Sequence, residues 1–320
     1  MQGESPLVSV IMMAYNHAAY IAEAIDSVLV QERDFPLELL IGEDCSLDGT
    51  REIVLDFQRR FPDVVKVITA ETNVGSLENY KRLLRVARGR FIAYIDGDDY
   101  WLQGKLARQV AFLEHSQECV AVFTNADAVT SNGQWVGAFN DVGTQSFDLG
   151  ALLRRGNFLC NSSMLFRASL VEDQLGLPDA AIDYQAHLLR ARRGNLVQLG
   201  DFLVAYRVQS EGSMVSNAND RVRELYWQAI TSVSEDEVSA GDMALGLADF
   251  LRRVIFRALR TRRWSLIRQW APRVFARSPY GMFRTGALTL HSIARIGARE
   301  LIGRLGSRSR GTHSKVLYRR

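Results

Sequence analysis

Short apolar runs alternate with amphipathic stretches through the first two hundred residues of the chain. In one of these stretches, residues 50–61, apolar side chains recur at helical spacing and Pro62 ends the element. Strands that alternate with helices of this length form right-handed βαβ units and a mostly parallel sheet. The apolar runs are nearly continuous, as expected where helices cover both faces of a sheet. The sequence therefore predicts the α/β class with a doubly wound, Rossmann-like sheet.

The character of the chain changes after Ser216, where only helices are predicted. The predicted strands cover residues 7–14, 37–42, 64–69, 90–95, 120–124, 160–166 and 196–207. The predicted helices cover 18–30, 50–61, 75–87 and 102–115, then 220–233, 242–263, 264–277 and 282–305. We therefore expect an α/β domain over 1–215 and an all-helical C-terminal extension over 216–320.

Charge divides the chain near the same place. The formal net charge is +3, but residues 1–250 hold 21 basic and 35 acidic side chains, whereas residues 251–320 hold 18 basic and one acidic. A basic region on an acidic body points to an anionic partner for that region. One interpretation is an amphipathic surface on anionic lipid; the other is a helical cap whose arginines are solvated or pair with the acidic body. Nucleic acid is not expected, since no recognised nucleic-acid motif accompanies the charge.

The cysteines and the lengths of the apolar runs indicate in which cellular compartment the protein is expected. Cys45, Cys119 and Cys160 are far apart and lack the spacing of a metal or redox motif, so we interpret them as reduced core residues. No basic stretch followed by an apolar one marks a signal peptide. No window holds the roughly 18 uninterrupted apolar residues that a spanning helix needs. We therefore expect a cytoplasmic protein, either soluble or peripheral at the inner face of the cell membrane.

Polar side chains follow three predicted strands at the edge where open parallel sheets bind ligands. The first strand ends in Tyr15, the second precedes Asp44, and the fourth runs into the acidic turn 96–99, Asp-Gly-Asp-Asp. Carboxylates suit Mg²⁺ or Mn²⁺, which typically take one or two of them and complete their shell with water and substrate phosphates. The sequence therefore predicts a divalent cation that holds a diphosphate here. The alternative is a solvated acidic turn with a helix cap.

Two side chains at this edge have two interpretations each. Asp44 either accepts a hydrogen bond from a base N–H or a ribose hydroxyl, or caps the helix that begins near Asp48 or Thr50. Tyr15 either stacks on a base or belongs to the core.

Several segments, taken in order, resemble the signatures of glycosyltransferase family 2. They are VSVIMMAYN, LIGEDCSLDGT, the turn at 73–75, ARGRFIAYIDGDDYWLQGKL, NSSMLFR, and AIDYQAHLLRARRGNLVQLGDFLVAYRVQSEGS. The resemblance covers about residues 7–215. It implies the GT-A fold and inverting transfer of a sugar from a nucleotide diphospho-sugar, most often a UDP-sugar, to a hydroxyl of a glycan or lipid-linked acceptor. Bacterial cell-surface polysaccharide biosynthesis is the setting that it implies.

The family's nucleotide-sugar and metal sites map onto the strand ends. The resemblance implies that Tyr15 and Asp44 hold the nucleoside. Asp96 and Asp98 match the Asp-x-Asp pair of the metal site, in which Asp98 is the direct ligand of Mn²⁺ or Mg²⁺ and Asp96 lies nearer the ribose or sugar. The enzyme is therefore expected to be metal-dependent.

The implied general base and a phosphate contact come from later segments. Asp183 falls at the position of the catalytic base, although Ile182 stands where the family usually has Glu. Arg207 is interpreted either as a partner of the diphosphate oxygens or as a surface arginine. After the last predicted strand, 196–207, the family commonly has a His, and this chain has Gln209 instead. The resemblance therefore does not extend to the phosphate or metal contact of that His.

Two other functions are weighed against an inverting glycosyltransferase. A sugar-phosphate nucleotidyltransferase also combines a doubly wound sheet with carboxylate-bound Mg²⁺, but that class has a Gly-rich, Arg-containing loop after the first strand, and MMAYNHAAY has no glycine. A nucleotide-sugar-binding protein without catalysis is the second alternative, with the replaced Glu and His as signs of lost activity.

Overall fold

A computed structural model describes residues 5–208, 220–306 and 316 of the 320-residue chain. The predicted boundary between the two domains, at 215/216, lies outside the described residues, and so does Gln209.

The first part of the chain alternates strands and helices as the sequence predicts. Its elements are β1 (Val8–Ala14), α1 (Ile21–Leu29), β2 (Leu37–Glu43), α2 (Thr50–Arg60), β3 (Val65–Thr69), α3 (Ser76–Val86), β4 (Phe91–Asp96), β5 (Tyr100–Trp101), α4 (Lys105–His115) and β6 (Cys119–Val129). The middle adds β7 (Trp135–Ala138), β8 (Gln145–Phe147), α5 (Leu149–Arg155), β9 (Leu165–Arg167), α6 (Val171–Leu175), α7 (Asp183–Ala191) and β10 (Asn195–Arg207).

These strands form one ten-stranded sheet in the order β3-β2-β1-β4-β9-β6-β10-β5, with β7 paired to β6 and β8 to β10. The four strands β3, β2, β1 and β4 are parallel, and so is the long β6–β10 pair. The short strand β9 runs antiparallel between β4 and β6. The predicted α/β fold with a mostly parallel sheet is confirmed, and the antiparallel strands make the sheet a mixed one.

Side chains of β1 pack alternately on the two faces of the sheet, and all seven residues of the strand are buried. Val10 and Met12 belong to an apolar cluster with α1, α2 and α4. Ile11 and Met13 belong to a second cluster that includes α3, α5 and α7. Because both faces are covered, the strand needs no polar side, which explains its continuous apolar sequence.

The predicted strand over 160–166 is wrong in its first half. A 3₁₀ turn spans Asn161–Ser163, and β9 begins only at Leu165. The Ser163 hydroxyl donates to the Cys160 carbonyl at 2.7 Å, and the Ser163 amide donates to the same oxygen at 3.1 Å. Such local hydrogen bonds of serine compete with strand pairing.

The interpretation of the cysteines is correct for two of the three. All three are free thiols, and Cys119 and Cys160 are buried. Cys45 is only half-buried, because it follows the end of β2 in a left-handed conformation, with φ of 60°, that turns the chain out of the sheet.

The predicted C-terminal helices are present. They are α8 (Asp220–Thr231), α9 (Ala240–Thr261), α10 (Ser265–Arg277) and α11 (Gly281–Gly306). The rings of Trp227, Phe250 and Trp270 contact one another in tilted or edge-to-face arrangements, with ring centroids 5.1–5.8 Å apart, inside the same apolar cluster as α5 and α7. Within the described ranges, no helix is long and apolar enough to cross a bilayer.

Several arginines of residues 251–320 pair with acidic side chains of the same helical region. Arg263 contacts Asp220 at 3.1 Å, and Arg273 contacts Glu224 at 2.8 Å. Arg277 contacts Glu235 in the same way. The acidic partners of these arginines therefore lie within α8 and the turn after it.

Candidate active site

The chain turns sharply at the carboxyl end of β1, where Asn16 has a left-handed φ of 56°. The Asn16 amide donates to the Ser46 hydroxyl at 3.1 Å, and the Leu47 amide donates to the Asn16 side-chain oxygen at 2.8 Å. These bonds lock the loop after β1 to the loop after β2. Tyr15 is 42% exposed beside this contact, so the interpretation of Tyr15 as a core residue is wrong.

Asp44 is buried at the end of β2, and its carboxylate accepts hydrogen bonds from the Val74 amide at 2.8 Å and the Gly75 amide at 3.0 Å. The interpretation of Asp44 as the cap of α2 is therefore wrong. Asp48 accepts from the Thr50 amide at 3.1 Å and from the Thr50 hydroxyl at 2.6 Å at the start of that helix. The contact of Asp44 with a nucleoside stays a prediction.

Asp96 ends β4 and lies half-buried, with both carboxylate oxygens in hydrogen bonds. The Tyr94 hydroxyl donates to Oδ1 at 2.6 Å, and the Ser162 hydroxyl donates to Oδ2 at 3.3 Å. Burial, together with the nearby charges of Asp98 and Asp183, raises the pKa of Asp96 to about 7. Asp98 is also half-buried, but no residue in the described part of the chain donates a hydrogen bond to its carboxylate.

Gly97 holds the acidic turn against the loop after β1. Its amide donates to the Met13 carbonyl at 2.8 Å. A Cβ at this position would lie 2.8 Å from that carbonyl oxygen, 2.8 Å from Nδ1 of His17 and 2.7 Å from Cδ1 of Ile21. Only glycine fits in this space, which explains why the motif reads Asp-Gly-Asp here. Burial lowers the pKa of His17, while the charge of Asp98 opposes that shift.

Asp99 and Arg207 fix the other side of the turn to the end of β10. Asp99 is buried, and its Oδ1 accepts from the Arg207 amide at 2.9 Å. Burial, with the charges of Asp98 and Asp96, raises the pKa of Asp99 well above its usual range. The Arg207 guanidinium donates to the Asp98 carbonyl at 2.5 Å. The turn is thus anchored at two successive residues.

The guanidinium of Arg207 is enclosed rather than exposed. It stacks between the rings of Tyr20 and Tyr100, at 4.7 and 5.1 Å from their centroids, and also binds Glu23. Arg207 is 4% exposed, so its interpretation as a surface arginine is wrong. Its contact with diphosphate oxygens stays a prediction.

The acidic turn fits a divalent cation that relies on its substrate for most of its ligands. No group of three or more His, Cys, Asp or Glu side chains is arranged to hold a metal ion among the residues described here. Mg²⁺ and Mn²⁺ commonly take one or two carboxylates and complete their shell with water and phosphate oxygens. The Asp98 carboxylate, with its neighbour Asp96, provides that number, so the residues fit such an ion.

A cavity of about 1040 Å³ lies between α3, α7, α8 and α9 and has Asp183 in its wall. Asp183 is the first residue of α7 and is exposed to this cavity. Tyr94 lines the same cavity, so the Tyr94–Asp96 hydrogen bond links it to the acidic turn. The surrounding protein raises the pKa of Asp183 by desolvation, and the charge of Arg190 opposes that shift.

Among the polar side chains of this cavity that sequence reasoning missed, two lie on the same elements as predicted site residues. Tyr94 lies two residues before Asp96 on β4, so both side chains point to the same face of the strand. Arg190 lies seven residues after Asp183 on α7, which places both on one face of the helix. The periods of the strand and helix were the signals available for finding them. Neither residue belongs to the quoted acidic motif.

The model of the family described as Glycosyl transferase family 2 matches residues 9–175. The uncharacterized protein Rv1520 of Mycobacterium tuberculosis is 30% identical over 222 residues, which are 69% of this chain and 63% of that protein. WfgD of Escherichia coli, a UDP-Glc:alpha-D-GlcNAc-diphosphoundecaprenol beta-1,3-glucosyltransferase, is 33% identical over 164 residues, which are 51% of this chain and 62% of WfgD. The matched part thus spans less than two thirds of each relative.

Solved structures also share the fold. The 1–349 fragment of S. aureus TarS in complex with UDP-GlcNAc superposes with a TM-score of 0.66 at 22% identity, covering 96% of this chain and 93% of that one. GalNAc-T7 with UDP, GalNAc and Mn²⁺ superposes with a TM-score of 0.56 at 14% identity, covering 72% of this chain and 48% of that one. At these identities the likeness concerns the fold.

Proposed function

The chain belongs to glycosyltransferase family 2, and from this membership and the geometry of the strand ends we propose that it transfers a sugar, with inversion, from a UDP-sugar to a hydroxyl of a glycan or lipid-linked acceptor. The observation that carries the proposal is that Asp183 shares a cavity with Tyr94, whose hydroxyl donates a hydrogen bond to Asp96 of the acidic turn. The names of WfgD and of the TarS complex support a UDP-sugar donor, and that of WfgD supports a lipid-linked acceptor. A role in cell-surface polysaccharide biosynthesis is proposed with them.

The nucleoside is proposed to lie at the ends of β1 and β2. The exposed ring of Tyr15 offers a face on which a base can stack. Asp44 is held in one orientation by the Val74 and Gly75 amides and retains lone pairs for a base N–H or a ribose hydroxyl. Because this carboxylate is already fixed in position, it can select the nucleotide of the UDP-sugar by hydrogen bonding without reorganisation of the protein.

The diphosphate is proposed to lie at the acidic turn. Mn²⁺ or Mg²⁺, held there by Asp98 with Asp96, would neutralise the charge of the departing diphosphate. The carboxylate of Asp98, which accepts no hydrogen bond from any residue in the described part of the chain, and the Mn²⁺ in the GalNAc-T7 structure support this assignment. Arg207 fixes the Asp98 carbonyl and brings a positive charge to the same place, where it is proposed to contact diphosphate oxygens.

Asp183 is proposed as the general base. It takes the proton of the acceptor hydroxyl while that oxygen bonds to the anomeric carbon and the carbon–oxygen bond to the nucleoside diphosphate breaks. Attack from the face opposite the diphosphate inverts the anomeric configuration and needs no nucleophile from the enzyme. The raised pKa of Asp183 makes its carboxylate a stronger base than an aspartate in bulk water.

Substitution of the two central carboxylates tests the proposal. Transfer is measured with a panel of UDP-sugars and Mn²⁺, and UDP binding is measured by calorimetry. Asp183→Asn is expected to lower transfer by roughly 10²–10⁴-fold while UDP still binds, whereas Asp98→Asn is expected to lose transfer and metal-dependent UDP binding together. Asp179→Asn is the matched control, because Asp179 lines the same cavity.

Several outcomes would contradict the proposal. Full transfer by Asp183→Asn would remove the base assignment, and undiminished transfer in excess chelator would remove the metal. A wild-type protein that binds UDP but neither hydrolyses nor transfers any donor would instead support the non-catalytic binding protein.

An anionic membrane surface is proposed as a partner of residues 251–320, which would place the enzyme at the inner face of the cell membrane. Large apolar side chains are exposed on these helices: Leu259 at 51%, Trp264 at 55%, Phe283 at 86% and Leu290 at 67%. Exposed arginines accompany them at positions 260, 262, 268, 284 and 295. Apolar side chains mixed with basic ones suit the interface of anionic lipid.

Flotation with vesicles tests this partner. The full chain is expected to float with anionic vesicles, and the double variant Trp264→Ser/Phe283→Ser is expected to lose most of that binding. Val30→Ser is the control, since Val30 is also exposed, at 58%, but ends α1. Equal binding to anionic and neutral vesicles would remove the electrostatic contribution.

A further inference from the structure

Two buried cations line the cavity that contains Asp183. Lys81, on α3, is 6% exposed, and Arg190, on α7, is 2% exposed. Neither has a carboxylate oxygen within 4 Å in the part of the chain that the structure describes. Buried charges without an ionic partner are costly to a fold, so their presence at an open cavity calls for an explanation.

The contacts of both cations are with neutral groups. The Lys81 ammonium donates to the Leu177 carbonyl at 2.5 Å. The Arg190 guanidinium donates to the Tyr80 hydroxyl at 2.8 Å and lies 3.1 Å from Nδ1 of His187. Its Nε is buried and finds no hydrogen-bond partner among the described residues. These bonds fix the position of each cation but do not neutralise its charge.

Three other cations line the cavity among the described residues: Arg221 is exposed, and the two less exposed ones have carboxylate partners. Arg253 pairs with Asp249 at 2.7 Å, and Arg223 pairs with Asp220 at 2.9 Å. Lys81 and Arg190 differ from them in this respect. Asp183 shares the cavity, but its carboxylate forms no ion pair with either of the two within the described ranges.

We propose that Lys81 and Arg190 form a subsite for a phosphate group carried by the acceptor. This inference rests on the proposed function. In an in-line displacement the base and the leaving diphosphate lie on opposite sides of the anomeric carbon. Asp183 is the base, and the two cations line its cavity, whereas the donor diphosphate lies at Asp98. An anion bound beside Asp183 therefore belongs to the acceptor.

The phosphate has two sources, a lipid-linked sugar phosphate or a polyol phosphate chain, and both present the same charged group to the subsite. The cavity, at about 1040 Å³, has room for a sugar together with a phosphate. Charge-assisted hydrogen bonds to phosphate from a lysine and an arginine are among the stronger polar contacts available to a protein.

Binding of small phosphate esters to the whole chain tests the subsite. The donor site is first filled with saturating UDP and Mn²⁺, and hexyl phosphate or glycerol 3-phosphate is then titrated by calorimetry. Hexyl glucoside and glycerol serve as the uncharged probes. We expect the phosphate esters to bind and the uncharged probes not to. Tighter hexyl phosphate supports a lipid-linked acceptor, and tighter glycerol 3-phosphate supports a polyol phosphate acceptor.

Variants assign the binding to the two cations. Lys81→Met and Arg190→Met are each expected to weaken phosphate-ester binding about tenfold or more, and Arg190→Lys is expected to retain more of it. Arg85→Met is the matched control, since Arg85 lies one turn after Lys81 and pairs with Glu78 on the surface. Should Arg190→Met fail to fold, Lys81→Met and Arg190→Lys still decide the question.

The inference and the proposed function fail in different ways. Absence of UDP binding in the first step contradicts the proposed donor site. Normal UDP binding without phosphate-ester binding overturns the subsite alone, and so does wild-type affinity in Lys81→Met.

Discussion

The hydroxyl of Tyr94 donates a 2.6 Å hydrogen bond to Oδ1 of Asp96. The two residues are separated by one position on β4, so their side chains share a face of the sheet. The bond fixes the first carboxylate of the acidic turn, and the ring of Tyr94 reaches the cavity where Asp183 lies. One buried tyrosine thus connects the proposed diphosphate site with the proposed base.

Tyr94→Phe is expected to shift the acidic limb of the activity profile to higher pH. The hydrogen bond from Tyr94 favours the ionised form of Asp96, so its loss raises the pKa of that carboxylate above its value of about 7. Transfer at pH 7 is expected to fall roughly tenfold, as for a lost hydrogen bond to a charged group. Activity measured from pH 5.5 to 9 checks this. Tyr280→Phe, in the turn before α11, is the control, and an unshifted profile would contradict the role of Tyr94.

Gly97→Ala is expected to displace the acidic turn. The new Cβ would lie 2.8 Å from the Met13 carbonyl oxygen, well inside van der Waals contact. Because that oxygen belongs to the central strand β1, the turn must move instead, at a cost of about 1–3 kcal/mol in the free energy of unfolding. Metal-dependent UDP binding is expected to weaken by more than tenfold, measured by calorimetry. Gly143→Ala is the control, since no heavy atom lies within 4 Å of its Cβ position.

Arg207→Lys is expected to loosen the contact between the acidic turn, residues 96–99, and the end of β10. Lysine keeps the charge but cannot bind the Asp98 carbonyl and Glu23 together while stacking between two tyrosine rings. The free energy of unfolding is expected to fall by about 1–3 kcal/mol, measured by urea denaturation. Arg193→Lys, which alters an exposed pair with Asp173, is the control and is expected to cost less than Arg207→Lys, because an exposed ion pair contributes little to stability. Equal losses in the two variants would contradict the anchoring role.

The parallel part of the sheet was predictable, because hydrophobic periodicity and chain order determine it. β1 to β4 and their helices follow from uninterrupted apolar runs that alternate with amphipathic ones. The short elements β5, β7 and β8 were not predicted. Each holds two to four residues, and pairing with the long strands β6 and β10 decides their conformation.

The candidate site was predictable only in part. The strand-end rule places Tyr15, Asp44 and the acidic turn at one edge. The resemblance, and not periodicity, pointed to Asp183. The cations Lys81 and Arg190 were missed as a pair. Helical periodicity places Arg190 on the face of α7 that carries Asp183, but the burial of both cations and the lack of a carboxylate partner among the described residues are properties of tertiary packing.

His187 is expected to make the protein less stable in acid. It is buried on α7, and burial, with the charge of Arg190, holds its pKa well below the usual value. The unfolded chain therefore binds a proton near pH 6.5 that the folded chain does not. The free energy of unfolding falls as the pH drops below about 6.5, by at most about 1.4 kcal/mol per pH unit from this group.

Urea denaturation at pH 8, 7, 6 and 5 checks this expectation. His187→Gln removes the titrating group, so its stability is expected to change less between pH 7 and pH 5 than that of the wild type. Burial also lowers the pKa of His17, which adds to the slope in both proteins, whereas the raised pKa values of Asp96 and Asp99 oppose the slope in both, so the difference between variant and wild type reports on His187. His115→Gln, at an exposed position at the end of α4, is the control and is expected to retain the wild-type slope. Both variants replace a histidine on a helix by glutamine, so they differ mainly in the burial of that histidine. If the free energy of unfolding of His187→Gln fell with pH as steeply as that of the wild type, the buried ring of His187 would not be the cause of the loss of stability in acid.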